Sequence, residues 1–429
     1  MELLPVSATL IGSPTFAAPI QTMFKKIGLI REGKIPPDRR VPLTPKQCRE
    51  VMLQGIDIAV QRSEVRAYTD AEYTAKDVRL THDLTDRDLI IGVKEVPLDM
   101  LMAGKAYLFF SHTIKQQPHN AKLLHTVLER RITLIDHELL TDAEGNRVLA
   151  FGRWAGVVGA YNAFRAWEVR DGGMPRLKPA NQCHDRAEMD QHLDEFPVPK
   201  DLRVVLTGGG RVGGGAMETL ERAGLERVSP EDFLHKDFDG PVYTVLGSPD
   251  LYRRDDGKPF DRAAFHADPR RHHALFLPFA RRAHIYIACH FWDARGPKIL
   301  TAEDLRDPGC SLRVVADISC DIGGPIDCTL RASTIADPFF GYDIATGEER
   351  PTGTPGTITV MSVDNLPCEL PRDSSKSFGR DLLDNVMPHL TGPDREGMIE
   401  RATIAKDGQL TPKYAYLKDY AADHARHGG

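Results

Sequence analysis

The sequence predicts an α/β protein with two domains, each built on a parallel β-sheet. Short apolar runs alternate with helical runs along most of the chain, which is typical of strands joined by crossover helices. A polar segment at 170–202 is followed by a second alternating series, which opens with a glycine-rich turn. The length of 429 residues is sufficient for two or three domains. These observations together predict two α/β units in sequence.

The first series lies between Lys26 and Glu138. Its predicted strands are 27–30, 56–61, 88–95, 106–112 and 132–138, and its predicted helices are 44–55 and 123–131. A helix at 154–169 leads to the second series, so the domain boundary is predicted near 150–160. The predicted strands of the second series are the run beginning LRVVLTG at 202, then 284–293 and 313–321. The Arg-, His- and Asp-rich stretch at 247–283 has few apolar runs, and we expect an exposed insertion there.

Composition excludes several classes of protein. The net charge of −6 predicts no nucleic-acid or anionic-membrane partner, and no apolar run approaches the ~18 residues of a membrane-spanning helix. The seven cysteines are odd in number and form no CxxC pair, so we expect neither a disulfide framework nor a metal site. A reducing, cytoplasmic location follows as an expectation. Residues 1–24 lack the pattern of a secretory signal and are predicted to be an extension.

The segment VVLTGGGRVGGGA at 204–216 carries the main cofactor signal. Gly208, Gly210 and Gly213 form a G-x-G-x-x-G turn between an apolar strand and a helix, and Arg211 and Val212 lie within it. Glycines allow a tight turn and a close backbone approach to a pyrophosphate, and the helix amino terminus directs free N–H groups at the anion. The segment therefore predicts a dinucleotide site.

The choice between NAD and NADP stays open. An acidic residue about 20 positions after the glycines would bind the ribose hydroxyls of NAD, and Glu231 or Asp232 is the candidate. Arg227 would instead favour the phosphate of NADP. Asp317 ends a further apolar strand, where an open α/β sheet presents its ligand site.

Ionisable residues gather at the predicted strand ends of the first domain. Lys94, His112 and Glu138 each follow an apolar run. A partly desolvated lysine has a lowered pKa suited to proton exchange with an amine, and histidine titrates near neutrality. Any one of these residues alone would be consistent with a surface or capping role. Three at successive strand ends predict an acid–base site.

Cations near the first turn suggest a carboxylated substrate. Arg31, Lys34, Arg39 and Arg40 lie close together in sequence, and Lys115 follows His112. Arginine binds carboxylates through a bidentate fork, although a solvated basic loop remains an alternative. The residues alone predict a nicotinamide-dependent oxidoreductase that acts on a carboxylated, nitrogen-bearing substrate.

A family resemblance extends this hypothesis. The chain resembles the lysine-forming saccharopine dehydrogenases and, still more, the lysine–2-oxoglutarate reductase domain of bifunctional lysine-degrading enzymes. It is more distantly similar to alanine dehydrogenase and to the transhydrogenase nucleotide-binding subunit. The segments that carry the resemblance are IREGKIPPDRRVPLTP, GVKEVP, FFSHTIKQQ, LIDHELL, FGRWAGVVG, DISCDIGGPI and MSVDNLPCELPRDSS.

The resemblance implies two Rossmann-like doubly wound domains separated by a cleft, the first of them discontinuous. Its bounds would be 25–153 plus 366–429 for the substrate domain and 154–365 for the dinucleotide domain. The implied reaction condenses lysine with 2-oxoglutarate to an imine, which NAD(P)H reduces to saccharopine.

The resemblance also implies roles for individual residues. Lys94 would accept the amine proton and His112 would serve the carbinolamine and imine steps. Glu95 and Glu138 would tune these two groups, and Arg40 would bind a substrate carboxylate. Arg147 and Asp364 would lie near the cofactor.

Some questions stay open at the level of sequence. The compact glycine spacing differs from that of the fungal enzymes, which carry one extra residue, so cofactor preference cannot be transferred from them. The alternatives are a related amino-acid or opine-type dehydrogenase of the alanine dehydrogenase superfamily and a catalytically silent dinucleotide sensor. Small-molecule substrates are the predicted partners, and homo-oligomerisation is left open.

Overall fold

The computed structural model describes residues 24–35 and 37–423. The predicted extension therefore lies outside the described residues except for Phe24, whose N–H donates to the carbonyl of Leu390 at 3.0 Å. The described strands are, in chain order, β1 Lys26–Leu29, β2 Asp57–Gln61, β3 Arg79–Thr81, β4 Leu89–Ile91, β5 Ala106–Phe109, β6 Thr133–Asp136, β7 Arg203–Thr207, β8 Glu226–Val228, β9 Val242–Leu246, β10 Tyr252–Arg254, β11 His272–Ala274, β12 Ile285–Ala288, β13 Val314–Asp317, β14 Phe339–Asp343, β15 Glu349–Arg350, β16 Thr357–Met361, β17 Thr403–Lys406 and β18 Gln409–Leu410.

The α-helices range from single turns to the long helix that leads into the second domain. They are α1 Pro45–Leu53, α2 Asp70–Thr74, α3 Ala121–Glu129, α4 Gly152–Val169, α5 Arg186–Asp194, α6 Arg211–Arg222, α7 Pro230–His235, α8 Ser248–Leu251, α9 Arg262–Ala267, α10 Leu277–Ala280, α11 Ala302–Arg306, α12 Pro371–Asp381, α13 Met387–Thr391, α14 Met398–Ala402 and α15 Lys418–Ala422. Short 3₁₀ turns and one π-helical segment, at Leu382–Val386, connect them.

Two sheets of eight strands organise the described chain. The first sheet has the order β18-β17-β6-β5-β4-β1-β2-β3, and its strands β1 to β6 are parallel. The second sheet has the order β15-β14-β16-β13-β12-β7-β9-β8, and β14 runs opposite to its other strands, pairing antiparallel with both β16 and β15. The predicted fold class, two doubly wound α/β units, is confirmed.

Each sheet is buried on both faces because its strands carry apolar side chains at successive positions. In β4, Leu89 and Ile91 pack into one core while Ile90 packs into the core on the opposite face. In β7, Val204 and Val205 likewise pack into two different cores, on opposite faces of the sheet. Alternate side chains of a strand point to opposite faces, so continuous apolar runs require helices on both sides. This is the doubly wound arrangement.

The C-terminal segment returns to the first sheet. β17 pairs antiparallel with β6, with Thr403 opposite Ile135. Phe378 of α12 shares a core with Phe110, its ring lying 6.1 Å away between centroids. We propose on this arrangement that 25–153 and 366–429 form one domain and 154–365 the other, with residues 424–429 outside the described part.

Two expectations from sequence are corrected. Strands β4 and β5 end at Ile91 and Phe109, earlier than predicted, and two residues further on the N–H groups of Val93 and Ser111 donate to the side chains of Glu32 and Asp136. The stretch 247–283 is not simply an exposed insertion. It forms the β10–β11 ribbon and contributes Tyr252 and Phe276 to a core of the second sheet. Within the described ranges, none of the helices combines the length and hydropathy needed to cross a bilayer.

Candidate active site

Four loops at the carboxyl ends of β1, β4, β5 and β6 bring the predicted acid–base residues together. These strands are parallel neighbours, so their carboxyl ends lie on one edge of the first sheet. The loop after β4 carries Lys94 and Glu95, the loop after β5 carries His112, and Glu138 follows β6. The structure therefore places these four residues on one edge, as the strand-end pattern indicated.

His112 and Glu95 form a close ion pair. The Nδ1 atom of His112 lies 2.5 Å from Oε1 of Glu95. Burial opposes the charged form of Glu95, but the hydrogen bond and charge of His112, aided by Lys34, outweigh it and lower the pKa of Glu95 to about 2. The pairing occupies Nδ1 and leaves Nε2 as the nitrogen that can exchange a proton with a substrate.

Glu138 lies between two cations. Its Oε1 is 3.2 Å from Nζ of Lys115 and 3.7 Å from Nη1 of Arg147. The guanidinium of Arg147 stacks over the ring of Phe110, 5.4 Å from its centroid. A carboxylate between two cations orients both of them.

Lys94 is half-buried between cations and carboxylates. Burial lowers its pKa, and the nearby charge of Arg40 lowers it further. Its backbone N–H and that of Val93 both donate to the carboxylate of Glu32, at 2.9 and 2.7 Å. Burial and the neighbouring charge of Asp38 raise the pKa of Glu32 to about 8, despite these hydrogen bonds. Glu32 thus shapes the Lys94 loop, which sequence reasoning missed.

Arg40 is held by a buried carboxylate that the sequence analysis did not anticipate. Its Nη2 lies 2.6 Å from Oδ2 of Asp38, its Nε lies 3.0 Å from Oδ1, and both side chains are 2% exposed. The guanidinium stacks 4.2 Å from the ring centroid of Phe151, and Nη2 also donates to Asn365 at 3.3 Å. The alternative of a solvated loop is therefore wrong for Arg40.

The other cations near the first turn are exposed. Arg31 donates its backbone N–H to Gln61, and Nε of Arg39 donates to the carbonyl of Val65 at 3.3 Å. The side chain of Lys34 is 45% exposed and reaches Oε2 of Glu95 at 3.9 Å. Lys34 therefore extends from the first turn to the acid–base pair, whereas Arg39 is directed to a neighbouring loop.

The glycine turn joins β7 to α6, as the motif predicted. Gly208 has a φ of +88°, and a Cβ there would lie 2.8 Å from the carbonyl oxygen of Cys289. A Cβ on Gly213 would lie 1.9 Å from the carbonyl oxygen of Gly208. Gly210 differs, because it begins the 12-residue helix α6 and a Cβ there would meet nothing within 4 Å. These features fit a pyrophosphate cradle, in which Gly208 and Gly213 maintain the turn and Gly210 leaves room for the ligand.

The structure does not place Glu231 and Asp232 where the cofactor prediction requires. They begin α7, after the edge strand β8, and β9 lies between β8 and the glycine strand β7. The strand beside β7 instead ends at Leu246 and is followed by Ser248 and Asp250. The expectation is corrected because β8, only three residues long, does not occupy the position next to β7.

The remaining predicted cofactor residues divide into buried and exposed groups. Asp317 is buried and accepts hydrogen bonds from the hydroxyls of Ser319, at 2.6 Å, and Thr329, at 2.7 Å, so it shapes the loop after β13. Burial raises the pKa of Asp317.

Asp364 is exposed after β16. The side chain of Arg211 donates to the backbone carbonyl of Arg147, which joins the two domains beside the glycine turn.

His290 is a residue at this edge that sequence reasoning missed. It follows β12, and its Nδ1 lies 2.7 Å from Oγ1 of Thr207, the last residue of β7. Its Cα would lie 2.8 Å from a Cβ on Gly208. Burial lowers the pKa of His290 to about 4, so the imidazole is neutral near pH 7. The available signal was the second histidine of the segment HIYIACHFWD, which is His290 and directly follows an apolar run.

Comparisons with known proteins agree with this architecture. Residues 28–158 match the family model "Alanine dehydrogenase/PNT, N-terminal domain". The mitochondrial alpha-aminoadipic semialdehyde synthase of Mus musculus is 31% identical over 89% of this chain. The NAD(+), L-lysine-forming saccharopine dehydrogenase of Emericella nidulans is 28% identical over 84% of this chain and 91% of its own length. The chain is a relative of the saccharopine dehydrogenases. The family resemblance predicted from sequence is confirmed.

Solved structures share the fold of this saccharopine dehydrogenase relative. An L-alanine dehydrogenase has a TM-score of 0.62 at 16% identity and covers 92% of this chain and 99% of its own. The transhydrogenase of Sinorhizobium meliloti has a TM-score of 0.56 at 15% identity, covering 90% of this chain and 100% of its own. The chain spans 46% of the length of the mouse synthase, about half of that curated relative.

Proposed function

We propose that the protein is a nicotinamide-dependent amino-acid dehydrogenase of lysine metabolism that interconverts saccharopine with lysine and 2-oxoglutarate. The observation that carries this proposal is the pairing of two separate acid–base groups, Lys94 and the His112–Glu95 pair, on a sheet edge that Arg147 links to a dinucleotide-type glycine turn, through its contacts with Glu138 and Arg211. A sensor protein needs the glycine turn but has no use for two proton-transfer groups. The similarity to the L-lysine-forming saccharopine dehydrogenase of Emericella nidulans supports saccharopine and lysine as the substrates proposed here.

The dinucleotide would supply or accept the hydride, and the glycine turn would hold its pyrophosphate through backbone N–H groups at the start of α6. Gly208, Gly210, Arg211, Val212 and Gly213 form that turn. We assign Arg147, Asp317 and Asp364 to the surroundings of the cofactor. Ser248 and Asp250 replace Glu231 and Asp232 as the residues beside the adenosine ribose, because they follow the strand next to β7.

The residues that we propose for proton transfer lie in the first domain. Lys94, whose pKa is lowered, would take a proton from the substrate amine when saccharopine is oxidised. His112 would exchange a proton through Nε2 with the carbinolamine oxygen, while Glu95 holds Nδ1 and stabilises the imidazolium. Glu138 keeps Lys115 and Arg147 in place beside this pair.

Saccharopine carries three carboxylates, and the site offers several separate cations. Arg31 and Lys34 lie in the loop after β1, Lys115 follows β5, and Arg40 is oriented by Asp38. We assign these four residues to the substrate carboxylates. Because arginine and lysine at separated positions match separated anions, this distribution favours a large tricarboxylate over a small amino acid.

The test is to follow the absorbance of reduced nicotinamide with lysine and 2-oxoglutarate, with NADH and NADPH in parallel assays. Oxidation that requires both substrates, with saccharopine as product by mass spectrometry, is the expected result. Turnover with pyruvate and ammonia instead would identify an alanine dehydrogenase-type activity. Dinucleotide binding without turnover on any of these substrates would contradict the proposal.

A further inference from the structure

Asp136 is a buried carboxylate that the proposed mechanism does not use. It is the last residue of β6, pairs in register with Phe109 of β5, and is fully buried. It therefore lies at the end of β6 and beside the end of β5. The loops that follow these two strands carry Glu138 and His112, respectively. A buried carboxylate requires hydrogen-bond donors around it, and here all the donors come from those two loops.

The two oxygens of Asp136 bind different loops. Oδ2 accepts the backbone N–H of Ser111 at 3.0 Å and also the hydroxyl of Ser111. Oδ1 accepts the backbone N–H of Glu138 at 2.7 Å. One side chain thus attaches the residue immediately before His112 to Glu138 itself.

The bonding continues to the far side of His112. Oγ of Ser111 and Oγ1 of Thr113 lie 2.8 Å apart, and the N–H of Thr113 donates to Oγ of Ser111 at 3.3 Å. Because the single hydroxyl proton of Ser111 goes to Asp136, the hydroxyl of Thr113 is the donor to Ser111. Both neighbours of His112 are consequently tied to one carboxylate.

His112 needs this support because its backbone is in an unfavourable conformation. Its φ is +52°, in the left-handed region that residues with a side chain rarely adopt. Such a conformation persists only when the surrounding structure holds it. In the ordinary extended or helical conformation the imidazole would leave Glu95, whose Oε1 it now meets at 2.5 Å.

We infer that Asp136 is a positioning residue that keeps the His112 side chain in contact with Glu95 and fixes the position of the Glu138 backbone. This inference rests on the proposed function for the role of His112. The hydrogen bonds of Asp136 to Ser111 and Glu138 do not depend on which reaction the protein catalyses. Asp136 acts through Ser111 and Thr113 and does not contact the substrate. Its removal should therefore alter the ionisation of His112 more than the binding of the dinucleotide.

The test compares Asp136→Ala and Ser111→Ala with Asp394→Ala. Asp394 is a matched control because it is also buried and also accepts two backbone N–H groups, from Ile399 at 2.9 Å and Glu400 at 3.0 Å. It lines a cavity with Thr133 at the opposite, amino-terminal edge of the sheet. Loss of a buried carboxylate is thus common to both aspartate variants, which differ in location and in their side-chain partners, His389 for Asp394 and Ser111 for Asp136.

Three readouts are needed. The pH dependence of kcat, the affinity for NADH and the NMR titration of the His112 ring, identified by its loss in His112→Gln, should be measured for each variant. In Asp136→Ala we expect kcat to fall about 10- to 100-fold, since a misplacement of about 1 Å can have an effect of that order. The NMR titration curve of the His112 ring should change because the ring loses its contact with Glu95, while NADH affinity stays within about twofold. Ser111→Ala should give a smaller change in the same direction.

The outcomes separate this inference from the proposed function. If the parent protein does not turn over lysine and 2-oxoglutarate, the function fails, and the ring titration still tests the attachment. An unaltered His112 titration in folded Asp136→Ala, or an equal change in Asp394→Ala, overturns the inference. If Asp136→Ala does not fold, Ser111→Ala decides, and an unchanged titration there overturns it as well.

Discussion

His112 and Glu95 face each other across the ends of two adjacent parallel strands, with Nδ1 of the imidazole 2.5 Å from Oε1 of the carboxylate. Neither residue belongs to a strand, because β4 ends at Ile91 and β5 ends at Phe109. The pair exists because both loops turn toward the same edge of the sheet.

Glu95→Gln should impair proton exchange by His112, because a carboxylate stabilises a partner imidazolium and an amide does not. We expect the pH profile of kcat to shift and kcat to fall by about tenfold or more. Glu50→Gln, which removes an exposed carboxylate paired with Arg380, is the control. A profile that does not shift in Glu95→Gln would contradict the assignment of the pair.

Lys94→Met should remove the amine-side proton acceptor. The lowered pKa of Lys94 makes the neutral amine available at lower pH than for an ordinary lysine, so oxidation of saccharopine by the parent should accelerate as Lys94 loses its proton. The variant should lose that ionisation and about 10²–10⁴-fold in kcat. Lys105→Met, at the start of the β5 region, is the matched control and should retain the parent profile. Parent-like kcat in Lys94→Met would exclude Lys94 from the mechanism.

Gly210→Val should abolish dinucleotide binding and leave the fold intact. A Cβ at Gly210 meets no protein atom within 4 Å, so the new side chain would occupy only the space where the pyrophosphate approaches. Gly214→Ala is the control, since its N–H is bonded within α6 to the carbonyl of Gly210 and its Cβ is also unobstructed. It should bind NADH normally and gain about 1 kcal/mol of stability from helix propensity. Calorimetry on both proteins measures the difference, and unchanged affinity in folded Gly210→Val would refute the site.

Arg40→Ala should affect both stability and substrate binding. Loss of the guanidinium leaves Asp38 buried without its partner, and breaking a buried pair in this way costs about 3–5 kcal/mol of unfolding free energy. We also expect KM for the carboxylated substrate to rise at least about tenfold. The double variant Arg40→Ala/Asp38→Asn should recover part of the stability but not the KM. Recovery of both would show that Arg40 is structural only.

The same pair predicts a loss of stability in acid. Despite its burial, Asp38 has a pKa lowered from 3.8 to about 2 by the charge and hydrogen bonds of Arg40. Its folded-state pKa lies below the unfolded value, so its contribution is present above about pH 4 and is lost as the pH falls toward 2. Unfolding by denaturant at several pH values measures this contribution. In Asp38→Asn the corresponding part of the pH dependence between 4 and 2 should disappear.

Local patterns were enough to predict the glycine turn and the strand-end groups. A turn between an apolar strand and a helix places its glycines within a few residues of one another, so Gly208 and Gly213 could be recognised without a distant contact. Lys94, His112 and Glu138 could be placed together because parallel strands share one carboxyl edge. The ion pairs that join these groups depend on loop conformation, which strand periodicity does not determine.

The supporting carboxylates could not be predicted in the same way. Asp38 precedes Arg40 by two residues, but the contacts that enclose this pair come from distant residues, with Phe151 stacked on Arg40 and the thiol of Cys368 donating to Asp38. Asp136 sits inside the motif LIDHELL, but its attachment to Ser111 spans 25 residues. Contacts of this kind follow from the packing of neighbouring strands.

The sequence by itself determined the α/β class, the dinucleotide-type turn and the set of acid–base residues, since each depends on the spacing of nearby residues. Only the tertiary structure decided that β9 separates β8 from β7, which is why we propose Ser248 and Asp250, rather than Glu231 and Asp232, beside the ribose. It also decided that Asp38 holds Arg40 and that Asp136 joins the His112 and Glu138 loops. Strand order and buried hydrogen bonds arise from contacts between segments far apart in the chain, and a linear pattern carries no record of which segments meet.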